Sequence, residues 1–126
     1  MLEDALKSEP ENAELSYAMG MLFAEQGDAA RAEVHLKEAV KLRPEYPEAW
    51  NNLGVLYVRE GDRTQALRAF QQSIQAAPDF AQAYYNLARV YVALGDKQKA
   101  AQALRQLLAR HPGDAQASAE LERLQH

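Results

Sequence analysis

The stretch REGDRTQA, residues 59–66, decides the fold, because variants of it occur at two other places in the chain. EQGDAARA occupies residues 25–32 and ALGDKQKA occupies residues 93–100, so each copy begins 34 residues after the one before it. Four prolines keep the same spacing, namely Pro10, Pro44, Pro78 and Pro112. A fixed period of this length is typical of a protein built from repeated structural units.

Each repeat predicts two helices joined by a tight turn. Apolar residues recur at helical spacing on both sides of the Gly-Asp pair, as at Leu53, Leu56 and Tyr57 before it. The glycine suits the left-handed residue that ends a helix, and the aspartate suits the N-cap of the next helix. The predicted helix pairs are 13–26 with 29–42, 47–60 with 63–76 and 81–94 with 97–111, and a last helix is predicted at 115–124.

Small residues at fixed repeat positions predict that the two helices of a pair approach closely. Gly54 costs a helix about 1 kcal/mol relative to Ala, so another interaction must offset it. We expect packing against large residues, such as Tyr57 and Phe70, to do so. The corresponding residues are Gly20, Phe23 and Leu36 in the first repeat and Ala88, Tyr91 and Leu104 in the third.

The second repeat carries an ordered series of large, small and aromatic residues: Trp50, Leu53, Gly54, Tyr57, Ala66, Phe70, Ser73 and Pro78. This series resembles the tetratricopeptide repeat family, and nearly the whole chain follows it. The first repeat departs from the pattern at Ser16 and the third at Leu107. The resemblance implies an all-α fold, a right-handed superhelical α-solenoid of antiparallel helix pairs with three repeats and flanking half-units.

The resemblance also divides the chain into units. Residues 13–46, 47–80 and 81–114 would be the three repeats, and residues 115–126 a C-terminal capping helix. Residues 1–12 would be the end of a preceding repeat or an N-terminal helix, with Leu2, Ala5 and Pro10 at family positions of a second helix. A half-unit at the start is the pattern expected where more repeats or another domain come before it.

In this family the first helix of each pair lines a concave groove that usually holds a peptide. Carried over position by position, the candidate partner-binding residues are Tyr17, Met21, Asn51, Asn52, Val55, Arg59, Gln82, Tyr85, Asn86 and Arg89. The same positions include Val58 and Val92, and the capping helix adds Gln116 and Arg123.

Asn52 and Asn86 lie 34 residues apart, so we expect them to form a two-rung ladder of amides. An amide offers a donor and an acceptor, which can pair with a peptide backbone without reading its side chains. The arrangement is similar to the asparagine ladder of the repeat domain in O-linked N-acetylglucosamine transferase, although Ala18 breaks it in the first repeat. The alternative is that both are solvated residues common at this position. In either case Ala in their place is expected to leave the helices intact, because its helix propensity is higher.

The remaining candidates also allow two interpretations. Tyr17, Tyr85 and Met21 offer adaptable apolar surface to a ligand, or else the tyrosines pack between repeats. Arg59 and Arg89 pair with acidic ligand groups, or else with acids on the protein surface.

One family subtype is not expected here. The carboxylate clamp that binds chaperone tails requires Lys and Asn in the first repeat, Asn in the second, and Lys and Arg in the third. Those positions hold Tyr17, Met21, Asn52, Gln82 and Asn86, of which only Asn52 matches.

Composition and charge disfavour several other classes of protein. Apolar residues make up 48% of the 126 residues, Cys is absent, and the net charge is −4. Residues 1–28 hold seven acids and one base, a charge of −6, whereas the remainder carries +2. There is no dense basic stripe for nucleic acid, no apolar run for membrane insertion and no signal peptide. A cytoplasmic location is favoured, and the richness in Ala, Gln and Arg favours a bacterial source.

No pattern of catalytic or metal-binding residues is visible. His35, His111 and His126 share no ligand spacing, and there is no phosphate-binding glycine loop. We therefore expect no enzyme, no cofactor and no metal, but a scaffold whose partner is a protein or peptide. Two alternatives stay open: a structural module that forms homo-oligomers through its repeat ends, and the recognition domain of a larger enzyme or assembly.

Overall fold

The structure, a computed structural model, describes residues 9–125 and shows an all-α solenoid of stacked helix pairs. The helices are α1 (Glu9–Glu25), α2 (Ala29–Leu42), α3 (Pro47–Arg59), α4 (Arg63–Ala76), α5 (Ala81–Ala93), α6 (Lys97–Arg110) and α7 (Ala115–Gln125). The pairs α1/α2, α3/α4 and α5/α6 each pack closely, and each pair packs on the next along the chain. No helix within the described residues is long and apolar enough to cross a membrane.

The start of the first helix differs from the prediction. α1 begins at Glu9 and not at 13, so Pro10 lies near its N-terminal end. Proline fits there, because the first helical residues have no intrahelical partner for their N–H groups. Leu2 and Ala5, predicted to belong to a preceding half-unit, lie outside the described residues.

The turn inside each repeat has the predicted chemistry. Gly27, Gly61 and Gly95 have φ values of 79°, 82° and 81°, a conformation that a Cβ would strain. The next residue, Asp28, Asp62 or Asp96, accepts a hydrogen bond from the N–H three residues later at 3.0–3.1 Å. Each aspartate N–H also donates back to the carbonyl of Phe23, Tyr57 or Tyr91. Each pair of bonds satisfies one free carbonyl at the end of the first helix and one free N–H at the start of the second, which stabilises the turn between the two helices.

The core follows the repeat positions. Ala32, Ala66 and Ala100 are fully buried, and so are their large neighbours Leu36, Phe70 and Leu104. Between repeats, the Trp50 indole N–H donates to the carbonyl of Pro44 at 2.8 Å, and the Tyr84 hydroxyl donates to that of Pro78 at 2.7 Å. The same family position therefore ties two successive repeats to the turn that precedes them.

The predicted need for a small residue at position 54 is confirmed. A Cβ on Gly54 would lie 2.4 Å from Cε1 of Phe70, and one on Gly20 would lie 2.8 Å from Cγ of Leu36. The aromatic ring occupies the space that an alanine methyl would take. In the third repeat, Ala88 takes the place of the glycine and Leu104 takes the place of the phenylalanine. The alanine is larger than glycine, and the leucine opposite it is smaller than phenylalanine.

We expect Gly54→Ala to lower the free energy of unfolding by about 1–2 kcal/mol, because overpacking outweighs the gain in helix propensity. Adding Phe70→Leu recreates the pair found in the third repeat and should recover part of this loss. Urea denaturation of the two single variants and the double variant measures the coupling. Additive effects, with no coupling between the two positions, would contradict the close contact.

Candidate functional site

Three adjacent pockets follow the first helices of the repeats. The first pocket, about 170 Å³, lies between α1 and α3, and the second, about 270 Å³, lies between α3 and α5. The third, about 320 Å³, is enclosed by α5, α6 and α7. Val55 lines both the first and the second, and Arg89 lines both the second and the third. The three pockets therefore form one continuous surface, which we call the groove.

Six of the ten candidate residues line these pockets: Met21, Asn52, Val55, Arg59, Asn86 and Arg89. Val58 and Val92, at equivalent positions of the second and third repeats, are also lining residues, and their side chains are 45% and 44% exposed. These two valines give the groove an exposed apolar surface.

Asn51 departs from the expectation. It is only 5% exposed, and its Oδ1 accepts a hydrogen bond from Nδ2 of Asn86 at 3.0 Å. Asn51 is therefore part of the packing between the second and third repeats and does not form the groove surface. A buried amide oxygen needs such a donor, because leaving it unpaired costs about 1–3 kcal/mol.

Asn52 makes the matching contact one repeat earlier. Its Nδ2 donates to the hydroxyl of Tyr17 at 2.9 Å, and the Tyr17 ring packs on Tyr46 with the centroids 5.0 Å apart. Burial raises the pKa of Tyr17 above its ordinary value, which keeps the hydroxyl neutral. Tyr17 thus contributes to inter-repeat packing, one of the two interpretations that the sequence allowed.

The two ladder residues are consequently not free amides. The Nδ2 of each donates a hydrogen bond to a side chain of the preceding repeat, 35 residues earlier in the chain. No hydrogen bond within residues 9–125 engages the Oδ1 of either one, so each retains one acceptor. The expectation that Ala in their place would leave the helices intact rests on helix propensity alone and does not include these bonds.

Tyr85 is also buried and lies away from the groove surface. Its hydroxyl donates to Oδ1 of Asp114, and that same oxygen accepts the N–H of Ala117 in the first turn of α7 at 3.0 Å. Burial, together with Asp114, raises the pKa of Tyr85 to about 12. The hydroxyl in turn holds the pKa of Asp114 below its ordinary value. Tyr85 therefore fixes the start of the capping helix against α5.

The charged candidates and Gln82 remain exposed. Arg59 and Arg89 line the groove, whereas Gln82 is exposed without lining any of the three pockets. From the capping helix, Arg123 lines the third pocket as expected, but Gln116 does not, because its amide donates to Glu120 at 3.4 Å.

Several lining residues were not among the candidates. Arg63 lies at the start of α4, and Glu120 and Leu124 lie on α7. The family positions used for the prediction cover first helices only, so they could not include Arg63. The spacing of Glu120, Arg123 and Leu124, which places them on one helix face, was the available signal for the capping helix.

Between residues 9 and 125, no group of three or more His, Asp or Glu side chains is arranged to hold an ion.

We expect Asn86→Ala to lower the free energy of unfolding by about 1–2 kcal/mol, because Oδ1 of buried Asn51 loses its donor. The higher helix propensity of Ala offsets only about 0.5 kcal/mol of this. Urea denaturation measures the change, with Gln82→Ala on the same helix as the control that should stay near wild type. Equal midpoints for the two variants would contradict the inter-repeat role of Asn86.

The pKa of Tyr85 predicts a dependence on alkaline pH. Its pKa is near 10 in the unfolded chain and about 12 in the folded one, so folding favours the neutral hydroxyl. The resulting stability is fully present below pH 10 and is lost as the pH rises toward 12. Tyr85→Phe lacks this contribution, so its free energy of unfolding should fall less steeply over that range. Denaturant titrations at several alkaline pH values test this, and identical slopes for the two proteins would rule the interaction out.

Two protein-family models match the chain, and together they cover most of the repeats. A family model described as tetratricopeptide repeat matches residues 52–115, and a second, described as TPR repeat, matches residues 22–61. No curated protein matches the chain.

Solved structures of the same fold include the first TPR of Spaghetti (RPAP3) bound to the HSP90 peptide SRMEEVD, with 18% identity and a TM-score of 0.81 over 94% of this chain and 96% of that one. The Arabidopsis OM64 TPR domain is 19% identical, with a TM-score of 0.81 over 94% and 98%. A crystal structure of MamA is 28% identical, with a TM-score of 0.80 over 97% of this chain and 71% of that one.

Proposed function

Because the chain belongs to the tetratricopeptide repeat family, we propose that it is a non-enzymatic scaffold that binds an extended segment of a partner protein in the groove. The observation that carries the proposal is the continuity of the three pockets, which share Val55 and Arg89. A chain of connected pockets suits an extended segment, because alternate side chains can enter successive pockets.

Apolar contact supplies the affinity in this proposal. Val58 and Val92 are the large apolar residues that the second and third repeats expose in the groove. Covering such side chains contributes roughly 25 cal/mol for each Å² removed from water. The polar contribution comes from Oδ1 of Asn52 and of Asn86, which accept N–H groups of the bound backbone and leave the partner's sequence unread.

A peptide ligand has a parallel in a protein of the same fold. The first TPR of Spaghetti (RPAP3) is bound to an HSP90 peptide. We do not propose that peptide for this chain, because Tyr17, Met21, Gln82 and Asn86 stand where the chaperone-tail clamp requires other residues. The similarity therefore supports a peptide as the class of ligand, and not this particular peptide.

Self-association through the repeat ends is the second candidate, and one observation favours it. Leu22 on α1 is 54% exposed, whereas Leu56 and Val90, at the equivalent positions of the following repeats, are buried by the repeat before them. Light scattering over a range of protein concentrations separates this candidate from a monomeric scaffold.

The groove proposal predicts a specific loss of binding. Peptides selected from a random library against the wild type should lose at least about tenfold in affinity for the Val58→Asp, Val92→Asp double variant, because each carboxylate must be desolvated on binding. The matched control is Val34→Asp on α2, where the valine is 64% exposed but lies outside the groove.

Fluorescence anisotropy measures the affinities, and circular dichroism checks that all variants fold. Peptides that bind the double variant as well as the control would place the binding site elsewhere. A library that yields no binder at all would refute the peptide function itself.

A further inference from the structure

The charge of the groove runs against the charge of the chain. The whole protein carries a net charge of −4. The second and third pockets are nevertheless lined by Arg63, Arg89 and Arg123, with Glu120 as the one acidic lining residue. An acidic protein thus presents a positive surface at the C-terminal half of its groove.

These three arginines have no acidic partner within the described residues. Among the described residues, the ion pairs lie outside the groove. The bases are Arg31, Lys37, Arg43, Arg110 and His111, and each pairs with an acid that lines none of the three pockets. A single unpaired arginine on a surface is ordinary. Three that line two adjoining pockets are informative, because their combined field favours one sign of ligand charge.

The third pocket adds an apolar floor to this charge. Ala88, Val92, Leu104 and Leu124 line it together with Arg89 and Arg123. It exists because Ala88 leaves space in front of Leu104 and because α7 packs mainly on α6, with Ala117 as its buried residue. Its volume of about 320 Å³ lies at the lower end of the range for ligand pockets, roughly 300–1,000 Å³.

Resting on the function proposed above, we propose that the partner segment is acidic and carries one bulky apolar side chain that enters the third pocket. Carboxylates on either side of this anchor pair with Arg89 and Arg123, whose guanidinium groups can bind a carboxylate through two parallel hydrogen bonds. Glu120, held by Gln116, excludes an acidic side chain from its own side of the pocket.

A peptide fits this surface better than a nucleic acid does. Single strands are bound by aromatic side chains on which the bases stack, together with a longer basic track. The exposed apolar residues of the groove are valines, and the aromatic ring that lines it, Phe70, is buried. Such a surface suits an aliphatic or aromatic anchor with flanking carboxylates.

The test uses the full chain and four synthetic probes labelled with fluorescein. The first is a glutamate-rich peptide with a central leucine, the second replaces the leucine with serine, and the third replaces every glutamate with lysine. The fourth is a single-stranded oligonucleotide of the same charge as the first. Affinities are measured by anisotropy at low and at physiological salt.

The first peptide should bind at least about tenfold more tightly than the other three probes. Arg89→Gln with Arg123→Gln should weaken it by about tenfold or more and flatten the salt dependence. Arg105→Gln is the matched control, since Arg105 is an exposed arginine on α6 that does not line the groove pockets. Circular dichroism verifies that each variant folds.

Three results would overturn the inference. The lysine peptide or the oligonucleotide could bind as tightly as the first peptide, or the serine peptide could do so. The third result is an affinity for the first peptide that is unchanged in the Arg89 and Arg123 double variant. If library peptides still depend on Val58 and Val92 in that case, the peptide function stands and only its acidic specificity fails. If no peptide binds under any condition, both fail together.

Discussion

Gly54 lies directly beneath the ring of Phe70, and this contact sets how closely α3 and α4 approach. Gly20 meets Leu36 in the same way in the first repeat. Because the pair is close, its inner alanines are fully buried, and the next pair stacks on its outer face. Two helices alone could not bury these faces, so the stability of each repeat depends on its neighbours.

Polar bonds between repeats then determine how the stack is aligned. Trp50 and Tyr84 bind the carbonyls of Pro44 and Pro78, while Asn52 and Asn86 donate to side chains of the preceding repeat. Each bond is directional, so together they fix the angle between successive helix pairs more sharply than apolar packing does. The groove is the consequence of that angle, and its pockets are formed before any ligand arrives, which lowers the entropy cost of binding.

The period of the sequence predicted most of this architecture. The glycines in the left-handed conformation, the aspartate caps and the helix bounds from residue 29 onward follow from local chemistry that repeats every 34 residues. The predicted start of α1, residue 13, was wrong, since α1 begins at Glu9. A proline is compatible with both the end of a helix and the beginning of one, and the period alone favours the end.

The candidate site was less predictable. Family positions show which residues lie near the groove, but not whether a polar neighbour will draw a side chain inward. Asn51 is buried because Asn86 reaches it, and Tyr85 is buried because Asp114 lies one helix pair away. Neither partner is local in sequence, so no helical spacing could reveal these bonds. Val58, Arg59 and Arg89 remain exposed and line the pockets, because no neighbouring side chain holds them inward.

Under the proposed function, stability and recognition are divided unequally among the groove positions. Asn52 and Asn86 serve both purposes, since the nitrogen of each amide holds the stack and the oxygen remains for a ligand. Changing them alters the fold and the binding surface together. Val92, Arg89 and Arg123 are exposed and contribute little to the core, so the proposal predicts that replacing them alters ligand binding at a small cost in stability. A repeat protein with this division can acquire a new partner through its exposed positions while the amide bonds keep the groove in shape.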